Sequence, residues 1–123
     1  AEMTGAVVTQ FFEHPGFAGG IHHFNAGEWF EAHEVWELLW RPMPAGADRV
    51  FVQGLIQLAV SLEHHRRANP RGRLGQRTKA EANLRPLCPV YQGVAVESLL
   101  READSYLAGE RSALPHLVWL QPD

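Results

Sequence analysis

The chain has a single cysteine, Cys88. One cysteine excludes an internal disulfide and agrees with a reducing compartment. No apolar run approaches the ~20 residues that a membrane helix needs. The opening stretch, AEMTGAVVTQFFEH, lacks the basic region and long apolar core of a secretory signal. These absences give the expectation of a cytoplasmic protein with no membrane partner. The formal charge of −3 exerts no global pull toward nucleic acid. Internal repeats and low-complexity tracts are missing. So are the GxSxG elbow, the phosphate-binding loop and the dinucleotide glycine pattern. Strand alternation bounded by hairpin turns is not sustained anywhere.

Helical patterning is abundant. A length of 123 residues with an apolar fraction of 46% fits one domain, 1–123, around one core. Val7, Val8, Phe11 and Phe12 have helical spacing within about Thr4–Glu13, and His14-Pro15-Gly16 reads as its stop. Phe17–Phe24 reads as a short helical turn. Asn25 reads as a cap for a second helix running to Trp40, with Glu28 completing a capping box. Pro42 and Pro44 forbid its continuation. Asp48 is the next cap candidate. The third helix, Arg49 to about Arg67, is the most apolar segment. Asn69-Pro70 opens a weaker fourth helix to Arg85, and Val94–Leu107 forms a fifth. The tail, ALPHLVWLQP, docks through Leu117 and Trp119. The expected fold is all-α, a small bundle of about five helices with a buried, mostly apolar third helix.

The chemistry concentrates in FNAGEWFEAHEVWELLW, Phe24–Trp40. On a wheel at about 100° per residue, Trp29, Ala32, Val35, Trp36, Leu39 and Trp40 form one apolar arc. Glu31 and Glu34 fall away from its centre. His33 and Glu37 sit at its edge and, four residues apart, meet on adjacent turns. On the third helix, Gln53, Gln57 and His64 share a narrow stripe flanked by Gly54 and Ser61. Buried amides need hydrogen-bond partners. The second helix packs antiparallel after so short a connection, so Gln53 and Gln57 are expected to face His33 and Glu37, or Glu34.

Three readings of this cluster stand open. One is a polar network that fixes helix register. Another is a pocket for a small polar ligand lined by Glu31, His33, Glu34, Glu37, Gln53 and Gln57. The third is a divalent metal held by His33, Glu37 and His64, with Glu34 as base in a hydrolase-like enzyme. The order His33-Glu34-Val35-Trp36-Glu37 lacks the second histidine of the zinc-protease HExxH. Self-association through Trp119 or a helix face is a further alternative. Cys88, between prolines, reads as inert, and His14 and His116 as solvated. Arg66, Arg67, Arg71, Arg73, Arg77, Lys79 and Arg85 form a local basic run with Glu81 the one acid. It could meet phosphate. Aromatic interleaving for base stacking is missing, so the run reads as a solvated face.

FNAGEWFEAHEVWELLWR followed by FVQGLIQLAVSLEHHRRAN resembles the domain of unknown function 309 family. The matching residues are Phe24, Asn25, Gly27, Phe30, Glu31, Ala32, His33, Glu34, Glu37 and Trp40, then Gln53, Gly54, Leu55, Ile56, Gln57 and Ala59. Tyr91-Gln92-Gly93-Val94 is similar to the family's later segment. The likeness spans about 17–107 and leaves 108–123 as a tail. It implies a small all-helical protein of bacterial, archaeal or plastid lineage, and no established activity comes with it. The fourth helix departs from relatives, with Arg73, Gly75, Gln76, Arg77 and Lys79 diluting its apolar content.

Overall fold

A computed structural model describes residues 11–121. Most of the expected Thr4–Glu13 helix lies outside them; its end, Phe11–Glu13, is a 3-10 turn. Five α-helices follow: α1 Pro15–Asn25, α2 Trp29–Trp40, α3 Ala47–Arg66, α4 Pro70–Leu84 and α5 Val96–Leu107. A two-stranded ribbon, β1 Val90–Tyr91 and β2 Val94–Ala95, precedes α5. The all-α expectation holds. Among the described residues, no helix is long and apolar enough to cross a membrane.

His14-Pro15-Gly16 starts a helix where a stop was expected. The His14 side chain accepts the Gly16 N–H at 2.9 Å as an N-cap, and Pro15 takes the first helical position. That position has no intrahelical N–H partner to lose. Phe17–Phe24 is therefore part of a full helix.

Helix α2 buries Trp29, Ala32, Trp36 and Leu39, spaced for one face. Trp36 packs against α1. Its indole N–H donates to the Phe17 carbonyl at 3.2 Å. Gly20 makes the seat: a Cβ there would overlap the Trp36 ring. The C-terminal end of α2 is held by Arg49. Its guanidinium stacks 3.9 Å from the Trp40 ring and donates to the carbonyls of Trp40 and Met43 at 2.9 and 2.7 Å.

Helix α3 is the buried centre, with Phe51, Val52, Leu55, Leu58, Ala59 and Leu62 inaccessible or nearly so. It packs against both α2 and α4. Gly54 and Ser61 allow the close approach on the α4 side. A Cβ on Gly54 would meet Leu84 at 2.6 Å, and the buried Ser61 hydroxyl donates to the Arg73 carbonyl at 2.8 Å. Asn69 caps α4 as expected, accepting the Gly72 N–H at 3.1 Å ahead of Pro70.

Helix α5 begins at Val96, two residues later than the pattern suggests, because Val94 and Ala95 pair with Tyr91 and Val90. Gln92 and Gly93 both have positive φ, which closes the hairpin in the sense that matches strand twist. The tail adds to the ribbon through Val94–Trp119, and Leu117 is buried as expected. The ribbon leans on the core through Phe51–Tyr91 and Phe17–Trp119, ring centroids 4.9 Å apart in each. The Tyr91 hydroxyl donates to Asp48 at 2.5 Å. Asp48 sits inside the first turn of α3, not at its cap.

Four of the seven cations in the basic run are paired. Arg66 and Arg67 hold Glu63; Arg85 holds Glu81. Arg77 forks onto Asp104 at 2.7 and 2.8 Å and also reaches Glu81, so it ties α4 to α5.

Two measurements test this packing. Gly20→Ala should lower stability by about 1–3 kcal/mol, the usual cost of overfilling a close contact, read as a lower urea midpoint at unchanged slope. Gly75→Ala, with open space around it, should raise stability by up to about 1 kcal/mol. Burial and the Asp48 bond push the Tyr91 phenol up from 10.0 to about 12. Between those values the unfolded chain has lost a proton that the folded chain keeps, so stability falls as pH rises. Tyr91→Phe should flatten that alkaline limb in urea melts.

Candidate functional site

The seam between α2 and the second half of α3 opens into a cleft of about 290 Å³. Trp29, Phe30 and His33 line it from α2; Val60, Glu63 and His64 line it from α3, with Arg67 just beyond. The spacing explains the meeting. On α2 these positions lie within one turn, and on α3 Val60, Glu63, His64 and Arg67 recur at helical intervals on the facing side. Trp29 is buried and its indole N–H has no hydrogen-bond partner among the described residues. Phe30 is 46% exposed at the mouth.

His64 has a defined tautomer. Asn69 Oδ1 accepts from Gly72, so its Nδ2 faces His64 Nδ1 at 3.1 Å and donates to it. The neutral ring then carries its proton on Nε2. His64 thus carries an N–H donor on Nε2, and the lone pair of Nδ1 is taken.

Glu63 is the strongest electrostatic feature, and sequence reasoning missed it. Its side chain is 8% exposed, deeper than any other ion-paired carboxylate among the described residues. Arg66 donates to both of its oxygens, at 2.6 and 2.8 Å from one nitrogen, and Arg67 Nε to the second at 2.5 Å. Burial works to raise the Glu63 carboxyl. The bonds and charges of Arg66 and Arg67 outweigh it, leaving the group below its ordinary value. The one signal in the sequence was Glu63–Arg67 at i,i+4, hidden inside a run that reads as basic surface.

The expected site residues divide. His33 is partly buried, 21% exposed, with Nδ1 at 3.5 Å from Glu34 and Nε2 at 3.8 Å from Glu37. The second separation is too long for a hydrogen bond. Glu37 instead accepts from Arg41 at 3.0 Å. His33, Glu34 and Glu37 bring three donor atoms within 4.8 Å of one another. His64 lies outside that group, so the expected grouping of His33, Glu37 and His64 is not the one these side chains make. Glu31 is exposed, and its charge helps hold Arg66 protonated. Gln57 is a second correction. Its Oε1 accepts from Asn83 of α4 at 2.7 Å, so its partner is across the other seam of α3. Gln53 lies one turn earlier on the same stripe, half-buried. Asn25 is a third. It is the last residue of α1, and its amide brackets the backbone of Leu117, accepting at 2.7 Å and donating at 3.1 Å. Helix α2 starts from Glu28 without a side-chain cap, while Glu28 contacts His23 at 2.8 Å.

Of the remaining candidates, Cys88 is half-buried, and burial pushes its thiol up, which suits an unreactive sulfur. His14 and His116 have structural partners: His14 caps α1, and the His116 backbone N–H donates to Glu102.

Residues 17–75 match a family described as "Domain of unknown function (DUF309)". The matched span covers α1, α2, α3 and the start of α4, hence every residue of the cleft. A stretch of 45 residues is 44% identical to the uncharacterized protein YpuF of Bacillus subtilis (strain 168). That match covers 37% of this chain and 26% of the relative, so the chain matches about a quarter of the relative's length. No solved structure matches.

The Glu63 cluster yields a prediction. Its stabilising contribution is present above the ordinary carboxylate value of 4.5 and is lost as pH falls through the lower folded value. Glu63→Gln should cost about 1–2 kcal/mol at pH 7, since the exposed arginines keep the effect below that of a fully buried pair. It should also flatten the acid limb of stability against pH, read by urea melts between pH 3 and 7.

Proposed function

We propose that this chain, which carries a DUF309 domain over residues 17–75, binds a small polar ligand in the cleft between α2 and α3. The observation that supports this reading is the lining. Trp29, Phe30 and Val60 give apolar walls, and His33, His64 and Arg67 converge on the same space. A mostly apolar cleft with a few placed polar groups is the usual form of a small-molecule site. At about 290 Å³ it sits at the small end of such sites. His64 Nε2–H and the Arg67 guanidinium are donors, so the ligand would present acceptor oxygens to them. Trp29 and Phe30 would cover its apolar part. Glu63 would hold Arg67 in place through the 2.5 Å bond to Nε, leaving the terminal nitrogens of Arg67 to read the ligand.

The hydrolase alternative has less support. It called for His64 as a metal ligand, yet the Nδ1 lone pair is committed to Asn69 and Nε2 carries the proton. Ligation would need the tautomer reversed and that bond broken.

A fragment screen of small carboxylates, phosphates and amides by nitrogen-15 NMR tests the proposal. A binder should shift the Trp29 indole N–H resonance, and Arg67→Ala should weaken it about tenfold or more, the scale of one charge-assisted hydrogen bond. A library in which nothing moves that resonance at millimolar concentration would count against the cleft as a binding site.

A further inference from the structure

We infer that His33, Glu34 and Glu37 form a divalent-cation site on the middle turns of α2. It shares His33 with the cleft and otherwise stands on different residues. The helix supplies the geometry. His33 and Glu37 are one turn apart on one face, and Glu34 flanks the imidazole from the next position. One imidazole nitrogen and two carboxylate oxygens gather within 4.8 Å of one another.

No tight direct network holds these three side chains together, and each carboxylate faces a different ring nitrogen. At 3.5 and 3.8 Å, the carboxylate oxygens sit near His33 without hydrogen-bonding it well. Donors that each lie about 2.1 Å from one tetrahedral zinc are about 3.4 Å from each other, against a spread of up to 4.8 Å for one imidazole nitrogen and the two carboxylate oxygens here. Small rotations of Glu34, 56% exposed, would close the remaining gap. His33 adds an independent observation. Its side chain is four-fifths withdrawn from solvent, yet neither ring nitrogen makes a hydrogen bond among the described residues. Its ring stands 5.9 Å from that of Phe30, which walls one side.

Glu37 is prepared for the role. Arg41 takes Oε1 at 3.0 Å, which orients the carboxylate and leaves Oε2 as the oxygen nearest His33. Outer partners of this kind fix the direction of a ligating carboxylate. One imidazole with two carboxylates suits zinc or manganese over softer ions. Three protein donors leave coordination positions open, as in sites that also take water or a ligand.

The test is titration of the tag-free full chain with zinc chloride by calorimetry and with manganese chloride by electron paramagnetic resonance. Saturable one-to-one binding of at least one of the two ions is expected. Glu34→Gln and Glu37→Gln should each weaken it tenfold or more, and His64→Gln should leave it unchanged. Glu34 is exposed enough that its variant keeps the fold, which a thermal melt verifies. No saturable binding of either ion, or binding that survives Glu34→Gln and Glu37→Gln intact, would overturn the inference. Fragment binding at Trp29 without ion binding would leave the cleft standing alone; ion binding without fragment binding would do the reverse.

Discussion

Helix α3 cannot face water on most of its circumference. Phe51, Val52, Leu55, Leu58, Ala59 and Leu62 are all at or below 1% exposure. A helix of that kind must be covered on several sides at once, and α2 and α4 provide the cover. What the cover leaves is a strip. At about 100° per residue, Gln53, Gln57, Val60 and His64 fall within about 60° of one another, and all four are half-buried. The α2–α3 cleft opens at the Val60–His64 end of this strip, while Gln57 turns to Asn83 on the α4 side. The position of the cleft follows from the apolar demand of α3, with no dedicated loop needed to build it.

Two glycines decide how tightly the cover sits. Gly20 lets the Trp36 indole reach the α1 backbone, and Gly54 lets Leu84 press onto α3. Trp36 lies in sequence between His33 and Glu37 and is fully buried. Its bond to the Phe17 carbonyl therefore fixes the roll of α2 about its axis. That roll is what holds His33 at the edge of the apolar arc, partly withdrawn and partly reachable. A loop could not hold these side chains with the same precision.

The helices, the centrality of α3 and the Asn69 cap were legible in the sequence because they rest on local periodicity and on cap chemistry within four residues. The partners across space were not. Asn25 reads locally as a cap, but its amide is taken by Leu117, far along the chain. Gln57 was assigned to the correct helix and to a neighbour on the wrong side. Its position on the wheel lies between two seams, and the wheel alone does not say which neighbour offers a donor; Asn83 does. The ribbon before α5 was passed over because two-residue strands have too few positions to alternate. In the site, His33, Glu34 and Glu37 were visible because they share one helix. Glu63 was not, since its burial depends on α2 closing over it and its arginines mask it in a composition count.

Charge placement around the cleft is asymmetric in a way that bears on what could enter it. Arg66 spends its charge on Glu63, and Arg67 shares Glu63 through Nε alone. The pair thus carries one net positive charge at the C-terminal end of α3, where cations also meet the negative end of the helix dipole. Along α2 the sign reverses, with Glu34 and Glu37 flanking His33 and Arg41 balancing one of them. His33 sits where the two fields meet. A neutral imidazole there can turn a lone pair toward a cation between the carboxylates or an N–H toward an acceptor in the cleft, but one ring nitrogen cannot do both. A cation on one nitrogen fixes the proton on the other and so presets His33 as a donor. If both sites are filled, the ion and the ligand are coupled through that ring, and each would be bound more tightly in the presence of the other.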